Sequence, residues 1–419
     1  MWHYASMSHK PRSQKKRKPP LREEDLRGFK YLRNIIPLFE RFHLVKDHHN
    51  RDLHYDQYLS LILLYYFNPI ITSLRGIQQA SHLEKVKKTV GITGTSLGSL
   101  SEAQHVFDAH LLAPLISELA QKAMPLEQNP QMKALEQTLT AVDATVLKAL
   151  PTMLWALWLD DQHRAAKLHL EFDICKWAPT RAEITDANAN EKTHLKQALS
   201  AKKLYVLDAG YGYYSLLEDI RKARSSFVVR LRDNAVWETI EERPLTADDH
   251  RAGVIRDMVV RLGCEQKQED LTAPVRVIQI FHRGDSRPRR SRVSSKKAFR
   301  TTKCDYILLL ATDRMDLPAE TIALIYRYRW SAVGGFFRWF KCVLGCRHLM
   351  AHSVNGLTIQ VYCALIASLL ITLWTGRKPT KRTFEMLCFY FMGWATDREV
   401  ATHIENLKEA RKKKNSSRA

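Results

Sequence analysis

The chain has 419 residues, of which 45% are hydrophobic, and its 65 Lys and Arg outweigh 44 Asp and Glu to give a net charge of +21. That length and apolar content exclude a disordered tail and allow two or three domains with a sizeable core, while the charge points to a polyanionic partner, nucleic acid first. The seven cysteines are scattered and odd in number, which argues against a disulfide framework, and the longest apolar run, Val361 to Trp374, is 14 residues, short of the ~20 that span a bilayer.

In chain order, residues 1–24 read as a basic flexible arm, with Lys15, Lys16, Arg17 and Lys18 bounded by Pro19 and Pro20. No apolar stretch follows those charges before Leu26, so a secretory signal is not expected. Residues 25–130 read as a helical N-terminal domain. One strongly apolar helix runs from about Tyr58 to before Pro69, and another is expected after Ser99, capped by Ser101, with Gly91, Gly94 and Gly98 as breakers between them.

The pattern changes after Pro130, and residues 135–350 read as an α/β core. Leu139, Ala141 and Val142 lead into Asp143, which is expected near a strand end. Leu168, Leu170, Phe172 and Ile174 alternate with polar residues as in a half-buried strand. Leu204 to Leu207 is a continuous apolar run closed by Asp208 and a glycine turn, the sign of a central strand. A helix from Tyr214 to Ala223 and a strand from Phe227 to Leu231 follow. A β-rich insertion spans about 235–303, with strands at Val254 to Leu262 and Val275 to Phe281 and a basic loop carrying Arg283, Arg287, Arg289, Arg290, Arg292, Lys296, Lys297, Arg300 and Lys303. Tyr306 to Ala311 returns to a buried strand. Residues 351–419 form a helical C-terminal region, with helices around Val361 and from Phe384 to Trp394, and a basic tail from Arg411 to Arg418.

Between Tyr326 and Leu349 five rings from Trp330 to Phe340 interleave with Arg327, Arg329, Arg338, Lys341 and Arg347. Tyr326, Arg329, Val333, Phe337 and Lys341 share one face of a continuous helix at ~100° per residue. Two readings stand side by side: an amphipathic helix with core rings and solvated cations, or a basic, aromatic strip beside a nucleic-acid backbone. Cys342, Cys346 and His348 are conceivable metal ligands without a second pair nearby. Two aspartates at strand ends, where α/β sheets gather functional groups, can hold divalent cations for phosphodiester cleavage; aspartates so placed also cap helices and fix turns.

Asp143 in AVDATVLKAL, Asp208 in YVLDAGYGYY, and YRYRW followed by FFRWFKCVLGCRHL resemble the DDE transposases of bacterial insertion sequences, in the branch with a Tyr, Arg, Glu, Lys signature. The similarity extends from LHYDQYLSLILLYYFNPI through VYCALIASLLI. It implies a ribonuclease-H-like catalytic core with a β-strand insertion before the last catalytic helix, flanked by helical regions. It also implies two Mg2+ or Mn2+ ions, a cut-and-paste reaction on transposon inverted repeats and target DNA, and a homo-oligomeric synaptic complex in the bacterial cytoplasm, associated with the nucleoid and with no membrane partner. Carried over, Asp143 and Asp208 are the catalytic metal ligands, and Tyr326, Arg329 and Lys341 contact DNA, joined by Arg338 in the same strip.

The signature is broken at its glutamate. Counting from Arg329 the acid belongs at Val333, and counting back from Lys341 it belongs at Gly334, so the segment has gained a residue and lost its carboxylate. Nearby acids are Asp313, Asp316 and Glu320, none at the family's position. The expected function is therefore a transposase with impaired cleavage; the alternatives are an inactive DNA-binding relic or a nuclease of the same fold. A kink or π-bulge at Gly334 and Gly335 is expected to absorb the extra residue.

Overall fold

The computed structural model describes residues 35–45, 51–68, 71–126, 129–148, 153–160, 163–263, 271, 273–282, 305–345 and 349–416. The basic arm, most of the basic loop after Phe281, and Cys346 and His348 lie outside the described residues.

The N-terminal part is helical: α1 (Ile35–Glu40), α2 (Tyr55–Phe67), α3 (Leu74–Ser81), α4 (Glu84–Val90), α5 (Leu97–Val106), α6 (Ala113–Lys122) and the short α7 (Pro130–Lys133). Gly91 ends α4 in the left-handed conformation at φ 72°, where a side chain would be strained. The helix expected to begin at Ser101 instead begins at Leu97. Ser96 is its cap, its hydroxyl accepting from Ser99 N at 3.0 Å, and Gly98 lies inside the first turn rather than breaking the chain.

The strands are β1 (Thr138–Lys148), β2 (Leu157–Asp160), β3 (His163–Asp173), β4 (Ala178–Asp186), β5 (Lys203–Leu207), β6 (Ser226–Arg230), β7 (Trp237–Glu242), β8 (Val254–Leu262), β9 (Val275–His282) and β10 (Tyr306–Thr312). Helices α8 (Glu191–Ala198), α9 (Tyr214–Lys222) and α10 (Ala247–Arg251) interrupt them. After β10 come α11 (Ala319–Arg329), a π turn at Trp330–Gly334, α12 (Gly335–Cys342), α13 (Val354–Thr375), α14 (Lys381–Phe391) and α15 (Asp397–Ser416). α14 thus starts and stops three residues before the Phe384 to Trp394 expectation, because Thr380 accepts from Thr383 N and caps it. The chain read as a basic tail is helical through Ser416.

All ten strands form one sheet in the order β2-β3-β1-β5-β6-β10-β9-β8-β7, with β4 on β3. β3 runs antiparallel to β1 and to β4, while β1, β5 and β6 are parallel, the ribonuclease-H-like arrangement. The insertion prolongs this sheet: β10 pairs with β6 on one side and β9 on the other. β5 and β6 are buried on both faces, which is why they read as continuous apolar runs. Leu204, Val206 and Val228 face α11 to α13 and the N-terminal helices; Tyr205, Leu207, Phe227 and Val229 face α8 and α9. β3 departs from the half-buried expectation, since His169, Glu171 and Asp173 on its polar face are buried as well.

The 22-residue α13 is longer than the 14-residue run that announced it, and by length and composition it is apolar enough to cross a membrane; here it is buried inside the fold. Its polar first turns are satisfied internally: Thr358 donates to Val354 O at 2.8 Å and Gln360 accepts from Met350 N at 2.9 Å. Tyr66 of α2 donates to Gln360 O, and Tyr362 donates to Ala182 O of β4, so this helix joins the N-terminal helices to the sheet in one core. Gly356 lets α5 approach. A methyl there would sit 2.7 Å from Gln104 Oε1 and 2.8 Å from Ala351 Cβ. Gly356→Ala is expected to cost about 1–3 kcal/mol in denaturant unfolding through this overpacking; an unchanged midpoint would show that the contact relaxes freely.

Candidate active site

β1 and β5 pair in parallel up to Ala141 and Val206, and the two aspartates follow where that pairing ends. Asp208 comes directly after β5 and caps the turn Ala209–Tyr211. Asp143, expected near a strand end, lies within β1, which continues to Lys148 against β3. Each carboxylate is fixed by the next amide: Ala144 N donates to Asp143 Oδ1 and Ala209 N to Asp208 Oδ1, both at 2.9 Å. The other oxygens converge on one nitrogen, Arg329 Nη2, at 3.5 Å from Asp143 Oδ2 and 3.8 Å from Asp208 Oδ2.

Arg329, expected to contact DNA, is only 2% exposed, and its guanidinium lies against the aspartate pair. Two neighbouring carboxylates repel, so the α11 face that packs on them supplies a buried cation. Tyr326, one turn earlier, is also buried and donates its hydroxyl to Asp208 Oδ1 at 3.3 Å; burial first and then the Asp208 charge push its phenol up to about 12. Lys341 reaches back to β1, donating to Val146 O at 2.6 Å. Arg338 remains exposed on the outer face. The strip therefore divides: Tyr326, Arg329, Val333 and Phe337 are buried, while Arg327, Trp330 and Arg338 face out.

Burial pushes the Asp143 carboxyl above its usual range, outweighing the pull of Arg329 and of the Ala144 amide; the Asp208 and Glu191 charges push the same way. Glu191 opens α8 and lies 3.3 Å from Lys167 Nζ. Tyr211, in the turn after Asp208, is pushed far up by burial and by Glu191 and Asp143.

The π turn at Trp330–Gly334 takes up the extra residue, so Arg329 before it and Lys341 after it both reach the β1 side. It also distinguishes the two positions for the missing acid. Val333 is 1% exposed in the main core, whereas a Cβ on Gly334 would meet only Trp330 Cε3, at 4.0 Å, and the Trp330 ring centroid is 5.5 Å from the Arg329 guanidinium carbon. Asp313, Asp316 and Glu320 are engaged elsewhere: Asp313 accepts from Phe227 N, Asp316 pairs with Arg314, and Glu320 Oε1 accepts from Gln131 Nε2 at 3.5 Å.

Carboxylate oxygens suit a hard divalent ion, and Asp143 and Asp208 fit such an ion as two of its ligands. They fall short of a three-carboxylate set, and among the described residues no group of three or more His, Cys, Asp and Glu is placed to hold a metal. Cys342 is an exposed free thiol.

A family model described as "Transposase DDE domain" matches residues 134–370, more than half of the chain. The chain belongs to this transposase family. Within the match lie both aspartates, the insertion, α11, α12 and most of α13. The chain is 29% identical to a putative transposase, y4zB, of Sinorhizobium fredii over 210 residues, 50% of this chain and 53% of that protein. It is 26% identical over 253 residues to a probable transposase for insertion sequence element IS5377 of Geobacillus stearothermophilus, 60% of each. The matches thus span between half and three-fifths of these relatives' lengths. A solved piggyBac transposase in a synaptic complex with hairpin DNA aligns with 90% of this chain and 82% of its own, at 10% identity and a TM-score of 0.40.

Glu191 and Tyr211 act on Asp143, and Lys192, Tyr213 and Arg232 cluster on the turn that follows Asp208; none of these carried a functional reading in the sequence. The signal for the tyrosines was present in DAGYGYY; nothing local marks Glu191, which the fold brings in from the helix after β4.

Proposed function

We propose that this chain is an insertion-sequence transposase of the Tyr, Arg, Glu, Lys branch that binds transposon ends and has impaired metal-dependent cleavage and strand transfer. The observation that carries this reading is the convergence of Asp143 and Asp208, from adjacent parallel strands, on one guanidinium within the matched region. Its partners are DNA at the inverted repeats, target DNA and further copies of itself in a synaptic complex, in the bacterial cytoplasm at the nucleoid. Asp143 and Asp208 are the residues that would hold Mg2+ or Mn2+, which when bound activates water and stabilises the leaving oxygen. Tyr326 orients Asp208, and Arg329 balances the carboxylate charge. With Val333 in the core and no side chain at Gly334, the third carboxylate is missing, which favours weak chemistry over a fully active enzyme.

Asp143→Asn and Asp208→Asn are each expected to weaken Mn2+ binding about tenfold or more in calorimetry, because each removes an anionic ligand. Unchanged Mn2+ affinity in both variants would sink the assignment. DNA affinity is expected to fall steeply with salt, each neutralised phosphate contributing about −0.9 to the slope of log affinity against log salt.

A further inference from the structure

Past Asp208 the chain is wound tightly: Tyr211 N donates to Asp208 O at 2.9 Å, Gly212 N to Ala209 O at 3.3 Å and Tyr213 N to Tyr211 O at 2.8 Å. This turn presents the Tyr213 ring, 38% exposed, five positions beyond the carboxylate. Two cations are gathered on that ring. Lys192, at the start of α8, has its amide fixed by Asn190 Oδ1 at 3.0 Å and its Nζ 3.2 Å from the ring centroid. Arg232, just after β6, donates from Nη2 to the Tyr213 hydroxyl at 3.3 Å, with its guanidinium carbon 5.6 Å from the centroid.

The surrounding cations are compensated: Lys196 pairs with Asp219 at 2.8 Å, Arg221 with Glu218 at 3.5 Å, Lys167 with Glu191 at 3.3 Å, and Lys203 with Glu171. Among the described residues neither Lys192 nor Arg232 has a carboxylate within ion-pair distance. Two cations held against one ring repel each other, and the ring face offsets only part of that cost. An anion that contacts both relieves it. The two cations lower the Tyr213 phenol, Lys192 first and then Arg232.

We propose that Lys192 and Arg232, arrayed around Tyr213, clamp a backbone phosphate of the DNA strand that passes Asp208. This rests on the transposase reading and adds a contact outside the Tyr326 to Lys341 strip. A phosphodiester fits because it carries one negative charge with two free oxygens, one for each cation, and because strand binding beside an acidic pair needs positive charge on the flank to offset repulsion. Tyr213 is a positioning residue that holds both cations apart from solvent-side freedom.

The test measures affinity for a duplex of arbitrary sequence across a salt series. Lys192→Ala with Arg232→Ala is expected to lower affinity about tenfold at low salt and to reduce the magnitude of the salt slope by about 0.9, one phosphate. Lys196→Ala, which removes a paired cation from the same helix, should change neither. The single substitutions Lys192→Gln and Arg232→Gln, checked by thermal melting, give the same reading should the double variant fold poorly. A double variant matching the parent in affinity and slope, while the parent binds steeply, overturns the clamp alone. A parent without salt-dependent DNA binding overturns the transposase reading with it. Inorganic phosphate that competes with DNA at equal affinity would assign the pair to a small anion and also overturn the proposal.

Discussion

Arg329→Ala is expected to lower unfolding free energy at neutral pH by about 1–3 kcal/mol, below the ~3–5 kcal/mol of a fully buried ion pair because the Asp143 and Asp208 side chains keep 34% and 36% of their surface in solvent. The guanidinium is 2% exposed and is the cation between Asp143 and Asp208; without it two neighbouring carboxylates face each other beside apolar packing. The pH dependence follows from the raised Asp143 carboxyl. An acid whose folded pKa exceeds its unfolded value contributes stability that is complete below the unfolded pKa and lost as pH rises through the folded one. Removing Arg329 removes the main influence holding that carboxyl down, so the defect of the variant should shrink in acid and grow toward neutrality. Mn2+ should restore the variant's melting temperature more than it shifts the parent's, because an ion held by Asp143 and Asp208 would supply the positive charge that the guanidinium provides. A variant as stable as the parent across the acidic and neutral range would show that Arg329 is not the counter-ion of the pair.

Gly334→Glu is expected to raise the rate of metal-dependent nicking about a hundredfold or more, since a correctly held metal contributes several kcal/mol of transition-state stabilisation and each 1.36 kcal/mol is about tenfold in rate. The π turn leaves Gly334 in register with Lys341 and beside Trp330, with room for a side chain. The substitution also removes a helix-interior glycine, which costs about 1 kcal/mol against alanine. Val333→Glu should behave in the opposite way: its carboxylate would enter the core cluster, and the chain should unfold or lose several kcal/mol of stability without gaining activity. A revertant that deletes Ser331 and carries Gly334→Glu closes the π turn and should be at least as active as Gly334→Glu alone. Should Gly334→Glu and the revertant both remain inert while folded, the missing glutamate is not the limiting defect.

The strands β1, β5 and β6 and the positions of the two aspartates along them were legible because each strand carries an apolar run of its own, closed at β5 by Asp208 and a turn; β2, β4 and β7 carried no run that marked them. The π turn was legible from a count, since the spacing from Arg329 and the spacing back from Lys341 differ by one residue. What Arg329 does was not legible. Its position on the helix was correct, but whether a cation faces solvent or a buried carboxylate depends on what packs against that face, here the ends of β1 and β5. The lengths of α13 and α5 were misjudged for a related reason. Ser353 and Ser96 cap those helices outside the apolar run, and the polar side chain of Gln360 is carried inside by the Met350 amide in the segment before the helix. Lys192 and Arg232 were ordinary surface cations in sequence; only the fold sets them on one ring.

The most direct test of the account is nicking of a duplex bearing the inverted repeat that flanks the coding sequence, measured for the unmodified chain with Mg2+ or Mn2+. Stable binding of that duplex with little or no cleavage is expected, with cleavage gained in Gly334→Glu and abolished again by adding Asp208→Asn. Robust cleavage by the unmodified chain, abolished by Asp208→Asn, would contradict it: the third ligand would then be present elsewhere in the chain.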